Sequence, residues 1–243
     1  MINSVRNTVL SIISKDNRGF ITPMEFNLYA KQAQLEIFER LFYSYSKAVN
    51  KQNNRYTGSV YDDRAHNAGY ADIAKQVEEA IDIFSTYGVL TYDGITLKYE
   101  IPADCYYLDK LLYNDTTEIE KISHSKINNV LLSGFTQPST TYPLYTNSSN
   151  EIQVYPATIS GTGIVTAQYI RYPLDPKWTW QQFTNGAPFF DPSAVDYQDF
   201  ELPLNYETDL VLKILTYAGI SIGEAEVTNA ASGNEMLNNQ EKI

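Results

Sequence analysis

The hydrophobic period of this chain changes twice, and that alternation limits what it can fold into. Apolar residues recur at helical spacing at Val5, Val9, Leu10, Ile12 and Ile13, the pattern of a short amphipathic helix. A long helix is expected from Pro23 to about Asn50, roughly 40 Å at about 1.5 Å per residue. A third should run from about Tyr70 to Tyr87, with Gly88 as its stop. The period then becomes two. "LTYDGITLKYEIP" sets Asp93-Gly94 between two β-prone runs, a hairpin signal. Strands continue through "CYYLDKLLYNDTTEIEKI", which turns at Asn114-Asp115, and at about 142–146, 151–155 and 164–171, with a short helix at 124–132. "NYETDLVLKILTYAGI" restores the helical period, closed by Gly219, and Ser221-Ile222-Gly223-Glu224 reads as a capping box opening a last helix to about Gln240.

Helices at both ends most simply pack together. The expected fold is therefore α+β: a helical bundle built from N- and C-terminal helices with an inserted antiparallel β-rich domain. The expected divisions are 1–88 helical, 89–173 β-rich, 174–203 irregular and rich in aromatics and acids, and 204–243 helical, packing back on the first region.

Two features look like surfaces for partners. The long helix carries one apolar stripe at Phe26, Ala30, Ala33, Ile37 and Leu41, and a second at Leu28, Leu35, Phe42 and Val49. A surface helix needs only one such face, so this helix is either central in its own bundle or meets a neighbouring subunit. The irregular segment concentrates Trp178, Trp180, Phe183, Phe189 and Phe190, and either folds back over the sheet or inserts into a partner, large aromatics on loops being typical interface anchors. With 20 tyrosines and 10 phenylalanines the chain is rich in side chains suited to surfaces dry on one side and wet on the other.

Site chemistry is harder to find. "KDNRGFITPMEF" resembles half of a calcium loop, but with Gly19 at the sixth position Ser14 takes the first and Arg18 the fifth, where oxygen ligands are required. Thr22-Pro23-Met24-Glu25 fits a capping box instead, with proline at the first helical position. Asp62, Asp63 and His66 lack the further ligands a zinc site needs. The dispersed Asp191, Asp196, Asp199 and Glu201 read as solvated acids, and "SGTG" at 160–163 as a turn between strands. His66 and His124 have no triad partners, and the lone Cys105 reads as a strand residue. No catalytic, cofactor or metal site is expected. A net charge of −11 argues against gripping nucleic acid through its phosphates. No apolar run reaches the roughly 18 residues of a membrane span, so synthesis in a cytoplasm, or release by lysis, is expected.

"NSVRNTVLSIISKDNRGFITPMEFNLYAKQAQLEIFE", "RYPLDPKW" and "DFELPLNYETDLVLKILTYAGI" together resemble the structural ring proteins of crAss-like podoviruses. The layout is more distantly similar to head-to-tail adaptors of short-tailed phages. The resemblance spans nearly the whole chain, through packing motifs without a catalytic residue. It implies a non-enzymatic virion protein made in the host cytoplasm and assembled with copies of itself into a closed ring, a dodecamer. Such a ring binds the portal protein and adjacent tail ring or tube proteins, away from any membrane. It frames the genome-ejection channel, through which DNA passes without specific binding. The alternative is an aromatic-rich carbohydrate- or receptor-binding module of a phage tail or bacterial surface protein, with Trp178 and Trp180 as sugar platforms.

Overall fold

A computed structural model describes residues 1–14, 21–54, 73–182 and 186–222, with side chains described outside 47–54, 73–77 and 220–222. The chain forms two compact units, Met1–Ile83 with Pro173–Ile243, and Phe84–Tyr172.

In the first unit, α1 (Ile2–Ser14) buries Ile2, Val5, Val9 and Ile13. Helix α2 (Pro23–Asn54) buries Phe26, Ala30, Ala33, Ile37 and Leu41, with Phe38 beside them. Helix α3 (Ile73–Asp82) packs on α2, and α5 (Glu207–Ile222) packs on α1 and α2, burying Leu210, Ile214, Leu215 and Ala218. The start of α2 is a capping box: the Glu25 amide donates to Thr22 Oγ1 at 3.3 Å, and the Thr22 amide donates to Glu25 Oε2 at 2.8 Å. The Thr22 hydroxyl donates to the same carboxylate at 2.7 Å. These bonds hold the Glu25 carboxyl below its usual range. Thr22→Ala should cost about 1 kcal/mol in denaturant titration, and added calcium should leave the melting temperature of the unaltered protein unmoved. Gly19, Asp16 and Arg18 of the calcium-loop reading lie outside the described residues, as do Asp62, Asp63 and His66.

The second unit is built on an eight-stranded sheet in the order β1-β8-β4-β5-β6-β7-β3-β2. Its strands are β1 (Ser85–Val89), β2 (Thr91–Asp93), β3 (Lys98–Glu100), β4 (Cys105–Tyr113), β5 (Thr117–Lys121), β6 (Leu144–Ser148), β7 (Glu151–Tyr155) and β8 (Val165–Arg171). Strands β1 and β2 lie at opposite ends of that order, yet only Leu90 separates them in sequence, so the sheet curls until its edges meet and is nearly a barrel. Leu90, Tyr99, Leu111, Ile119, Tyr145, Ile152, Val165 and Ala167 fill its interior. Tight turns close its hairpins. Asn114 and Asp115 take left-handed φ of 50° and 58° in the three-residue connection between β4 and β5, where the Thr116 amide donates to the Tyr113 carbonyl at 3.2 Å. Between β2 and β3, the Asp93 carboxylate accepts from the Ile95 amide at 2.9 Å.

This architecture corrects the expected one. The chain is not a helical bundle carrying an antiparallel insert: the eight-stranded sheet is its largest element, only five α-helices are described, and β5 pairs with β6 in parallel, making the sheet mixed. The helix expected over 70–87 ends at Asp82, and Ser85–Val89 pairs with β8 instead. Gly88 is a strand residue there rather than a helix stop. A Cβ at that position would come within 3.0 Å of the Tyr169 ring, and Tyr169 bonds Asp104 through its hydroxyl. Gly219 does not close α5, which continues to Ile222; the last helix expected, to Gln240, lies outside the described residues.

Candidate interaction surfaces

The aromatic segment is held by polar side chains of two helices. Asn27 of α2 accepts the Trp178 amide proton at 2.9 Å and donates to the Trp178 carbonyl at 3.1 Å, while Asn3 of α1 accepts the indole N–H at 3.1 Å. Lys31 pairs with Asp175 at 2.6 Å. Gln34 donates to the Leu174 carbonyl at 2.7 Å and accepts the Glu201 amide at 3.1 Å. Asn27, Lys31 and Gln34 are spaced four and three apart, so one face of α2 presents them as a ladder to an otherwise irregular backbone.

Trp178 is consequently a core residue, 1% exposed. Its ring stacks between neighbours, Trp180 at 6.1 Å and Phe190 at 5.8 Å, with the Arg6 guanidinium 3.7 Å from its centroid. Of the readings the sequence allows, interface anchor and sugar platform both require an open face that Trp178 does not have; this part of the segment folds back on the protein's own helices. Trp180 and Phe190 are half-buried in the short antiparallel pair β9 (Trp180–Gln181) and β10 (Phe189–Phe190), where Phe189 is exposed. Phe183 lies outside the described residues. Arg6, 5% exposed, has its Nε buried without a hydrogen-bond partner, and burial lowers its pKa. Its guanidinium stacks on the Trp178 ring, a favourable cation–π contact.

The acids of this segment hold protein groups. Asp199 accepts from the Met1 ammonium and from the amides of Ile2 and Phe200, at 2.8, 2.7 and 2.8 Å. Glu201 accepts the Leu174 amide at 2.7 Å, Asp191 accepts the Ser193 amide at 3.0 Å, and Asp196 pairs with Lys177. Among the described residues no group of three or more His, Cys, Asp or Glu side chains could hold a metal ion. Cys105 is half-buried, and burial together with Asp104 pushes its thiol pKa up, away from a reactive thiolate. His124 is exposed. No described helix is long and apolar enough to cross a membrane.

Large apolar side chains stand in water on several described elements, among them Ile95, Val195 and Leu204, and two sets bear on the readings above. On α2, Met24 and Leu28 are 74% and 58% exposed, and Leu35 and Phe42 of the same stripe are half-buried. In the second unit, the connection between β5 and β6 carries α4 (Ile127–Leu132), with Leu132, Phe135 and Tyr142 at 86%, 103% and 77% exposure. The α2 stripe is visible in the sequence as a heptad spacing. The second surface was missed, because isolated apolar residues in a polar connection carry no period.

No protein-family model matches the chain, and a search of curated proteins finds no similar sequence.

Proposed function

We propose that the chain is a non-enzymatic ring component of a bacteriophage head-to-tail connector, a virion protein linking portal and tail around the genome-ejection channel. One observation carries the reading: two water-exposed apolar surfaces stand on different elements, the outer face of α2 and the β5–β6 connection. A head-to-tail contact consumes two different patches, one on each copy, and closes into a ring when the rotation allows. Scattered apolar residues are ordinary on any surface, so most weight falls on Met24 and Leu28, four residues apart on one face of α2. The resemblance to crAss-like ring proteins supplies the class of assembly. A sugar platform needs an open aromatic face, and the buried Trp178 weighs against that alternative.

The test is the mass and shape of the purified protein. Native mass spectrometry and negative-stain imaging should show a closed, high-order oligomer; a monomer at every concentration sinks the proposal. The charge balance of 29 acids to 18 bases gives a second expectation. A conduit lined by cations would bind DNA through counterion release, so fluorescence anisotropy with duplex DNA should instead show little binding at physiological salt. Tight, salt-sensitive binding would point to a packaging or DNA-processing role.

A further inference from the structure

Arg6 is a nearly buried cation without an acid. Two other cations withdrawn from water in the same unit are matched: Lys213, 4% exposed, pairs with Glu36 at 2.5 Å, and the Met1 ammonium pairs with Asp199 at 2.8 Å. Arg6, 5% exposed, forms no ion pair or hydrogen bond through its guanidinium with any described residue, and its Nε is buried. The guanidinium lies 3.7 Å from the centroid of the Trp178 ring. A π face attracts the cation, but it offers no oxygen to the N–H donors. Folded proteins normally give a buried charge a partner of opposite sign, because an unmatched one costs free energy.

The surroundings fit an oxyanion. Asn3 stands one turn ahead of Arg6 on α1, and residues three apart share a helix face. Both side chains meet the same indole. Because Asn3 Oδ1 accepts the Trp178 N–H at 3.1 Å, the amide is fixed and its other branch, the NH2 group, is left as a donor. Helix α1 carries no acid of its own, and Asp199 at its start is already held by the Met1 ammonium and the amides of Ile2 and Phe200. A guanidinium presents a planar fork of N–H groups that matches two oxygens of a carboxylate or phosphate. With so little of Arg6 in contact with water, the fitting anion is a small solute rather than a broad protein surface.

We propose that Arg6 and Asn3 form a binding site for one small oxyanion, the carboxylate or phosphate group of a solute. The site is independent of the ring reading above. It is tested by isothermal titration of the purified protein with inorganic phosphate and, separately, with acetate, at constant ionic strength in chloride. Saturable binding of one anion per chain is expected with at least one of them, and the tighter of the two identifies the class of group. Arg6→Gln should abolish binding, and Arg6→Lys, which keeps the charge but loses the planar fork, should weaken it at least tenfold. Asn3→Asp is nearly isosteric and still accepts the indole N–H, while bringing an oxyanion to Arg6 from within the helix. Binding of phosphate and acetate should then vanish and the melting temperature should rise. An acid in the first turn of a helix is itself stabilising, so the same exchange is also made in an Arg6→Gln background, where the rise should be smaller. The site is overturned by an unaltered protein that binds neither anion saturably, by binding that persists in Arg6→Gln or Asn3→Asp, or by an equal rise in both backgrounds.

Discussion

Trp178→Ala is expected to cost about 3–5 kcal/mol, the range for removing a large, fully buried aromatic side chain. The effect should be at the high end because the indole does more than fill volume. Its N–H bonds Asn3, its faces meet Trp180, Phe190 and the Arg6 guanidinium, and its backbone is gripped at both N–H and C=O by Asn27. Truncation would also remove the stacking partner of the Arg6 guanidinium. Denaturant unfolding followed by near-ultraviolet circular dichroism reads the loss. A variant of unchanged stability that loses binding to glycans would instead assign Trp178 to a surface site.

Asp199→Ala should cost about 2–3 kcal/mol, because hydrogen bonds to a charged acceptor contribute about 1.5–3 kcal/mol each and partial exposure moderates the sum. The carboxylate ties the first turn of α1 to the Phe200 amide, so its loss should loosen both. Its pKa is lowered. Burial is the largest single influence and pushes it up, but the bonds from the Met1 ammonium and the Ile2 and Phe200 amides together outweigh burial. A depressed carboxyl stabilises the fold fully above its unfolded pKa. That stability drains away as pH falls from the ordinary carboxylate range through the lower folded value. Asp199→Asn should therefore flatten the acid side of the stability–pH curve measured by thermal melts. An unchanged acid limb would show that Asp199 does not couple protonation to folding.

Sequence patterning located what depends on neighbours along the chain. The first stripe of α2 is buried as its spacing indicates, because residues three and four apart on a helix share a face whatever packs there. The Thr22–Glu25 box and the Asn114-Asp115 turn closed as read, since each is made within four residues. Local signals also failed in a patterned way. Residues 85–87 read as the end of a helix in the sequence, but pairing with β8 decided their backbone, and ladder bonds to a distant strand leave no local trace. Gly219 looked like a stop, yet glycine only permits a left-handed end and does not impose one.

The larger corrections all came from long-range contacts. Nothing in the order of strands along the chain announces that β5 pairs with β6 in parallel, or that β1 and β2 meet from opposite edges of one curled sheet. Trp178 and Phe135 show the same division at the level of single residues. Both are large aromatics in aperiodic polar stretches and look equivalent in the sequence, but Asn3, Asn27 and Arg6 enclose the first, while no core closes over the second. Sequence alone was enough for the start of α2 and for the turn after β4, because their bonds span a few residues. Only the tertiary structure decided which aromatics are core and which are surface, because burial depends on side chains more than a hundred residues away.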